Sequence, residues 1–462
     1  MPPLRATGVG RHLNEKADSV SRPEDFIISD GRAAAAVAAE GIAVENVSAV
    51  NRKVDRPLYA ARQKIHPRLA KGTFRRLKWL VLLATLSIYY LLPWLRWSRG
   101  ADLPNQAVLV DMASNRYFFF FLEIWPQEFY FVTGLLILAA LALFLMTAVA
   151  GRVWCGYTCP QTVWTDLMIA VERFWQGDRN ARIRLDASPW GTGKILRKAA
   201  THLSWLLIGV ATGGAFIFYF RDAPTLAREL IAGEAPLIAY LFLGIFTLTT
   251  YVLGGIAREQ VCIYMCPWPR IQGAMVDHET LLVTYRTERG EPRGPHKKGQ
   301  PWDGRGDCID CKACVAGCPT GIDIRDGGQL ECIQCALCVD ACNEIMTKVG
   351  RPRGLIGYST IAQQEAAASG RSAPVRLIRT RTLLYSALFA LVGAILLGAW
   401  LMRTVLEINV LSDRNPPYVR LSDGSIRNGF TVKILNKVHE PRAFEISIMG
   451  LEGAQLSAVG LD

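Results

Sequence analysis

Histidine and charged side chains are scarce in this sequence. The chain has 462 residues, of which six are histidines and only 20% are Asp, Glu, Lys or Arg. So few histidines argue against a His-rich metal site, and the lack of a C-x-x-C-H motif excludes a c-type haem attachment site. Hydrophobic residues make up 51% of the chain, yet its net charge is +12. This combination is typical of a membrane protein with basic loops, more than of a nucleic-acid binder.

Five stretches are apolar and long enough to cross a bilayer, which takes about 20 residues. We predict membrane helices at 77–95, 129–150, 202–220, 236–256 and 383–402. A further stretch, 155–175, is only moderately apolar and contains Asp166 and Glu172. We therefore expect it to form a helix that lies at the cytoplasmic face without crossing.

The basic residues predict an orientation. Residues 52–78 carry ten Lys and Arg against one Asp, and the net charge of the later segments alternates in sign. Because Lys and Arg are enriched in cytoplasmic flanks, the N-terminal region and residues 257–382 are predicted inside and the C-terminal region outside. The basic arm is placed to bind anionic lipid. Residues 1–50 lack the pattern of a signal peptide and are expected to be disordered, so the first helix is predicted to be a retained anchor.

These features divide the chain into five parts. They are an N-terminal region (1–76), a four-helix membrane domain (77–256), a cytoplasmic domain (257–382), a fifth membrane helix (383–402) and an outer domain (403–462).

Eight of the twelve cysteines lie in the predicted cytoplasmic domain. They form two C-x2-C-x2-C-x3-C runs, which begin at Cys308 and Cys332. This is the bacterial ferredoxin pattern, in which the fourth cysteine of each run binds the cluster of the other run. The spacing predicts two [4Fe–4S] clusters. The predicted ligands are Cys308, Cys311, Cys314 and Cys342 (the first cysteine set) and Cys318, Cys332, Cys335 and Cys338 (the second cysteine set).

Other uses of these eight thiols fit less well. A pair of zinc sites would not need the same spacing twice, and disulfides are disfavoured in a reducing cytoplasm. Pro319 follows the first run as the pattern requires, whereas Asn343 takes that place in the second, so we expect a different turn there. The domain has no other evident catalytic group, and we predict that it transfers electrons.

The remaining four cysteines form two matched C-x3-CP motifs. The first thiol motif (152–160) contains Cys155 and Cys159, and the second (258–267) contains Cys262 and Cys266. Each follows a predicted membrane helix and begins with an arginine. Positions i and i+4 share a face of a helix, so each pair is expected to present two thiols together. Soft thiolates favour Cu(I), zinc or an iron–sulfur cluster, with Met265 as a weak additional ligand. A redox dithiol or simple packing remains open.

Beyond residue 402 the pattern changes to short strands. Segments 405–410, 418–421, 431–436 and 443–449 alternate apolar and polar residues and are separated by turn residues such as Asp423-Gly424. They predict an immunoglobulin-like β-sandwich outside the membrane. About 60 residues is short for such a sandwich, so the fold is expected to be incomplete.

Residues 50–462 resemble the cytochrome c oxidase accessory protein family of CcoG/RdxA/FixG type. The resemblance rests on the order of the basic arm, five helices, two C-x3-CP motifs, two-cluster ferredoxin and outer β-domain. It implies a bacterial inner-membrane protein in cbb3-type oxidase assembly that acts as a cupric reductase. The implied catalytic and copper-binding residues are Cys155, Cys159, Cys262 and Cys266.

The implied partners are a cytoplasmic electron donor and a copper chaperone or the oxidase catalytic subunit, with no nucleic acid and with self-association possible. Two alternatives stay open. One is a quinol-oxidising membrane ferredoxin of a respiratory chain, which would not call for the outer β-domain. The other is a non-enzymatic assembly scaffold whose clusters sense redox state.

Overall fold

The computed structural model describes residues 44–50, 64–100, 103–296, 301–437, 442–451 and 453–459. Most of the predicted disordered N-terminus therefore lies outside the described residues, as do the basic residues Arg52, Lys53, Arg56 and Arg62. The described residues form two compact units, which are divided between residues 389 and 390.

Helices dominate the first unit. The α-helices are α1 (Thr73–Leu91), α2 (Tyr130–Ala150), α3 (Val153–Tyr157), α4 (Pro160–Gln176), α5 (Arg179–Ala187), α6 (Thr192–Ile217), α7 (Ala223–Ala232), α8 (Leu237–Thr249), α9 (Trp268–Met275), α10 (Thr287–Gly290), α11 (Ala313–Ala316), α12 (Leu337–Lys348), α13 (Ile361–Ala368) and α14 (Thr380–Leu401), which runs into the second unit. Two π-helical segments, Thr250–Ala257 and Val261–Met265, follow α8.

Five helices of the described chain are long and apolar enough to cross a membrane, as predicted. They span Thr73–Trp94, Pro126–Ala150, Thr192–Ile217, Leu237–Ala257 and Thr380–Leu401. The third begins at Thr192, well before the predicted start at 202. The helix begins before the apolar stretch, and its first turns are polar. These turns are stabilised because Lys194 and Lys198 bind oxygens at the end of α5, including the Asp186 carboxylate.

Helices α6 and α8 pack closely through glycines. A Cβ on Gly209 would lie 2.9 Å from the carbonyl oxygen of Thr247, and one on Gly213 would lie 2.8 Å from that of Leu243. Small residues spaced four apart let two membrane helices approach at backbone distance. This contact fixes the hairpin whose C-terminal end carries the second thiol motif.

Helix α4 buries two carboxylates in separate ion-pair groups. Arg75 Nη1 lies 2.9 Å from Asp166 Oδ1, and Lys78 Nζ lies 3.9 Å from Asp166 Oδ2. Arg75 and Lys78 are 7% and 3% exposed. Both side chains are buried against Asp166, whose carboxylate supplies the opposite charge that a buried cation requires. The prediction that the basic arm contacts lipid is therefore wrong for these two residues.

Glu172 forms the second group near the other end of α4. Its Oε2 accepts from Arg182 Nη1 at 3.0 Å and from Arg258 Nη2 at 2.8 Å, and its Oε1 lies 3.1 Å from Lys64 Nζ. Glu172 and Arg182 are fully buried, and Arg258 is 3% exposed. The group joins the N-terminal segment, α5 and the second thiol motif to one side chain.

Short antiparallel sheets complete the fold. The strands are β1 (Val108–Asp111), β2 (Arg116–Phe119), β3 (Leu122–Ile124), β4 (Leu282–Tyr285), β5 (Ile356–Ser359), β6 (Leu406–Ser412), β7 (Val419–Arg420), β8 (Ile426–Arg427) and β9 (Phe430–Asn436). The meander β1-β2-β3 occupies a connection for which the sequence analysis predicted no structure. Strands β4 and β5 pair in the ferredoxin domain, where Val283 and Ile356 join the core around the ferredoxin cysteines. This gives the predicted α+β ferredoxin.

The second unit contains two two-stranded sheets, β6–β9 and β7–β8. Seven residue pairs align β6 with β9, and a turn with Gly424 at φ +85° joins β7 to β8 as the Asp423-Gly424 pair predicted. The predicted strand at 443–449 is wrong: this described segment has no strand. A strand needs a hydrogen-bonded neighbour, and β6 and β9 pair with each other.

Candidate functional site

The ferredoxin cysteines are grouped around two neighbouring cavities. One is lined by all four thiols of the first cysteine set, together with Tyr285, Arg325 and Leu355. The other is lined by all four thiols of the second set, and Cys314 borders this cavity as well. The cysteines of each set come from both runs, as the crossed spacing predicts. Thiolates without competing imidazole or carboxylate are the donor set of a [4Fe–4S] cluster, so the residues fit that group.

Cationic side chains face both cysteine sets. Arg325, which is paired with Asp323 at 2.7 Å, lowers the pKa of Cys311 and Cys314 against the larger effect of burial. Lys78 has the same effect on Cys335. These buried cations favour the thiolate form that a metal cluster requires.

Asn343 changes the end of the second run as expected, although no turn forms there. The short helix α11 ends at Ala316, two residues before Cys318, whereas α12 continues past Cys342 to Lys348. Asn343 Oδ1 accepts a hydrogen bond from the Gly354 amide at 2.8 Å. The asparagine therefore ties α12 to the segment before β5.

The four remaining thiols lie at helix ends. Cys155 is in α3 and Cys159 precedes α4, whereas Cys262 is in a π-helical turn and Cys266 follows it. The prediction that each pair shares one helical face is therefore wrong. Cys159 and Cys266 each precede a proline, which disfavours the helical conformation in the residue before it, and their ψ angles are 127° and 124°.

These four thiols interact electrostatically with one another. The pKa of Cys155 is raised to about 11, mainly by burial and in part by the nearby Cys159 and Cys266, against the effect of Arg152. Burial also raises the pKa of Cys262 to about 12, with contributions from the other three. A metal ion must therefore displace protons from Cys155 and Cys262. Met265 is 64% exposed.

Within the described ranges, no three His, Cys, Asp or Glu side chains stand close enough to bind one metal ion together. This applies to the ferredoxin cysteines too, because each thiolate of a cubane binds a different iron atom. For the four membrane thiols it means that a single ion can be bound by all of them only if the two motifs move closer.

The first thiol motif is docked against the loop that carries the second cysteine set. The Arg152 amide donates to Gln334 Oε1 at 3.1 Å, and the Arg152 guanidinium donates to the Leu330 carbonyl. Tyr157 Oη donates to the Cys335 carbonyl at 3.2 Å. This contact was not predicted from the sequence, although a glycine within the first motif, Gly156, indicates a close backbone approach.

A polar cavity lies between the second cysteine set and the second thiol motif. Its lining includes Cys262 on one side, Thr320 and Ile333 on the other, and the charged residues Lys78, Asp166 and Arg258. Cys262 of the second thiol motif and residues next to the second cysteine set thus line one cavity.

The ferredoxin domain also caps the first membrane helix. Asp340 of α12 accepts hydrogen bonds from the amides of Phe74 at 3.3 Å and Arg75 at 2.7 Å, which are in the first turn of α1. A Cβ on Gly72 would collide with this carboxylate, which explains the glycine there. The negative charge lies at the positive end of the helix dipole.

Replacement of Asp340 by Ala is expected to destabilise the protein by about 1–2 kcal/mol, as for the loss of an N-cap. It should also accelerate hydrogen exchange at the amides of Phe74 and Arg75. Asp340→Asn, which keeps an acceptor oxygen, should have the smaller effect. Equal exchange in D340A and the wild type would show that the helix end does not depend on this carboxylate.

The fold and the site define a class: an iron–sulfur membrane protein, with a two-cluster ferredoxin inserted between the fourth and fifth of the five apolar helices in the described part of the chain. Family models match three regions: "4Fe-4S dicluster domain" at residues 257–361, "4Fe-4S binding domain" at 132–176 and "IG-like fold at C-terminal of FixG" at 396–461. No solved structure matches.

The chain belongs to the FixG/RdxA family of membrane polyferredoxins. It is 54% identical over 436 residues to the nitrogen fixation protein FixG of Rhizobium meliloti, covering 88% of this chain and 83% of that protein. It is 56% identical over 407 residues to RdxB of Cereibacter sphaeroides (87% and 85% covered) and 51% identical over 407 residues to RdxA of the same organism (87% and 86%).

The match at 132–176 bears on the first thiol motif. This region contains two cysteines, Cys155 and Cys159, which is half of the four thiolates that a [4Fe–4S] cluster takes. The match supports a redox role for the motif, and the other two thiols within electrostatic range are those of Cys262 and Cys266.

Proposed function

We propose that this protein reduces Cu(II) to Cu(I) at the thiols of Cys155, Cys159, Cys262 and Cys266 and that the Cu(I) serves assembly of a cbb3-type oxidase. The supporting observation is the direct contact between the first thiol motif and the Cys335 loop. Two [4Fe–4S] clusters, when bound by the two cysteine sets, supply one-electron transfer. Each Cu(II) ion takes up one electron.

The donor chemistry suits the product. Cu(I) prefers soft thiolate ligands, and the protons of Cys155 and Cys262 leave when the metal binds. The electron comes from a low-potential cytoplasmic one-electron donor, and Cu(I) passes to a copper chaperone or to the oxidase catalytic subunit. The distribution of basic residues supports an orientation in the bacterial inner membrane with the ferredoxin domain cytoplasmic and the C-terminus periplasmic.

Replacement of all four membrane cysteines by Ala is expected to abolish Cu(II) reduction, because the ion loses its soft ligands. The measurement is Cu(I) formation by the purified, pre-reduced protein, with iron per chain as the control for intact clusters. Retained activity with full iron content would overturn the copper site.

A metal count tests the same site without an activity assay. Two clusters require about eight iron atoms per chain, and copper binding should be lost in the four-cysteine variant only. About twelve iron atoms in the wild type, falling to eight in the variant, would assign these thiols to a third cluster and contradict the proposal. Quinol-dependent cluster reduction that resists copper chelation, without Cu(II) reduction, would instead favour a quinol-oxidising ferredoxin.

A further inference from the structure

The two thiol motifs match in sequence but differ in their surroundings. They align as Cys-Gly-Tyr-Thr-Cys-Pro and Cys-Ile-Tyr-Met-Cys-Pro, so Gly156 corresponds to Ile263 and Tyr157 to Tyr264. Tyr157 is 7% exposed, whereas Tyr264 is 61% exposed. The equivalent tyrosines of the two motifs therefore differ in exposure: the first is buried and the second is at the surface.

Gly156 is required by the docking of the first motif. A Cβ at this position would lie 2.7 Å from the carbonyl oxygen of Ile333 and 3.0 Å from the amide nitrogen and Cα of Cys335. These are backbone atoms, which cannot rotate away. The backbone beside Cys155 therefore touches the backbone that carries Cys335, and Tyr157 adds its hydrogen bond to the same loop.

The second motif is anchored elsewhere. Its arginine, Arg258, donates to Glu172 at 2.8 Å and to the Gly255 carbonyl at 2.7 Å, whereas Arg152 binds the ferredoxin loop. Arg258 also has a left-handed φ of +46°, which costs energy in a non-glycine residue. The turn that follows is π-helical, a conformation frequent at functional sites, and it presents Met265 at an exposed surface.

We propose that the two motifs have different tasks: Gly156 and Tyr157 position the first motif to receive the electron from the second cysteine set, and the second motif exchanges the copper ion at its exposed Met265 side. This inference rests on the proposed function. The electron moves from the reduced iron–sulfur centre to Cu(II), giving the oxidised centre and Cu(I), and the low-potential donor restores the centre. Gly156 and Tyr157 are positioning residues, because they act through the loop.

The experiment compares four variants of the full-length protein. Gly156→Ala is matched by Gly244→Ala, whose added Cβ would meet nothing within 4 Å, and Tyr157→Phe is matched by Tyr418→Phe, at an exposed tyrosine of the second unit. In stopped flow, re-oxidation of the pre-reduced centres by saturating Cu(II) should slow about tenfold or more in G156A and less in Y157F, while both controls match the wild type. Iron per chain should stay constant throughout.

Two further readouts separate positioning from general damage. In an EPR redox titration, Y157F should lower the potential of the centre held by Cys335, because a hydrogen-bond donor near it is lost, and leave the other potential unchanged. Y418F should change neither. Met265→Leu should raise the Cu(II) concentration that gives the half-maximal rate, without changing the limiting rate. G156A should lower the limiting rate without changing that Cu(II) concentration.

The results distinguish this inference from the proposed function. If the wild type reduces no Cu(II), the proposed function fails, and the selective potential shift in Y157F still tests the contact. If Cu(II) is reduced but G156A and Y157F are re-oxidised as fast as their controls, the proposed function stands and the division of tasks is wrong. A lower limiting rate in M265L would also overturn it.

Discussion

Replacement of Cys342 by Ala is expected to remove the iron–sulfur centre of the first cysteine set and to leave the other centre intact. Cys342 belongs to the second run in sequence, yet it lines the same cavity as Cys308, Cys311 and Cys314. Loss of one of four thiolates leaves an iron atom without its protein ligand. The iron content should fall by about four atoms per chain, as measured on the purified protein.

The EPR spectrum of the surviving centre identifies which one was lost. C342A and Cys311→Ala should retain the same signal, and Cys318→Ala and Cys335→Ala should retain the other. If C342A instead retains the same signal as C335A, each run holds its own cluster and the crossed assignment is wrong.

Replacement of Glu172 by Gln is expected to destabilise the protein by about 3–5 kcal/mol, the range for removing one partner of a buried ion pair. The side chain keeps its size, but Arg182 and Arg258 are left as buried charges without their carboxylate. Arg258 begins the second thiol motif, so the loss should also disorder Cys262. The measurement is thermal or denaturant unfolding, with the loss of iron–sulfur absorbance as the monitored signal.

Glu344→Gln is the matched control. Glu344 pairs with Lys348 at 2.7 Å on the surface of α12, and an exposed i,i+4 pair contributes about 0.5 kcal/mol or less. Similar destabilisation in E172Q and E344Q would contradict the importance assigned to the buried group.

The pH dependence of the Glu172 effect has a defined sign. Its arginine and lysine partners lower the pKa of Glu172 to about 2, against the opposing effect of burial, from an ordinary value of 4.5. A lowered pKa gives stability that is present above the ordinary value and is lost as the pH falls towards the lowered one. The difference in stability between the wild type and E172Q should therefore be constant from pH 7 to about 5 and shrink only below about 4.5.

The parts of this protein with repeated local patterns were predictable from the sequence. Length and hydropathy identified five helices, and the C-x2-C-x2-C-x3-C spacing grouped the ferredoxin cysteines, because both depend on residues close together in the chain. The π-helical geometry around Cys262 was not predictable from an i, i+4 rule. It follows Arg258, which has a φ of +46° and binds Glu172.

Contacts between distant segments were missed for the same reason. Arg75 and Lys78 were assigned to lipid because their neighbours in sequence are basic, whereas their partner Asp166 is about ninety residues away. The docking of the first thiol motif could have been suspected only from the mismatch between Gly156 and Ile263. A glycine in one copy of a repeat indicates close backbone approach.

The capping of α1 by Asp340 has a consequence for biosynthesis. The first membrane helix is made early, but the carboxylate that satisfies its first amides follows 266 residues after Phe74. Asp340 itself lies on α12 between Cys338 and Cys342, which belong to different cysteine sets. The first helix therefore gains this cap only after the ribosome has delivered the ferredoxin, so folding of the ferredoxin and completion of the membrane domain are coupled.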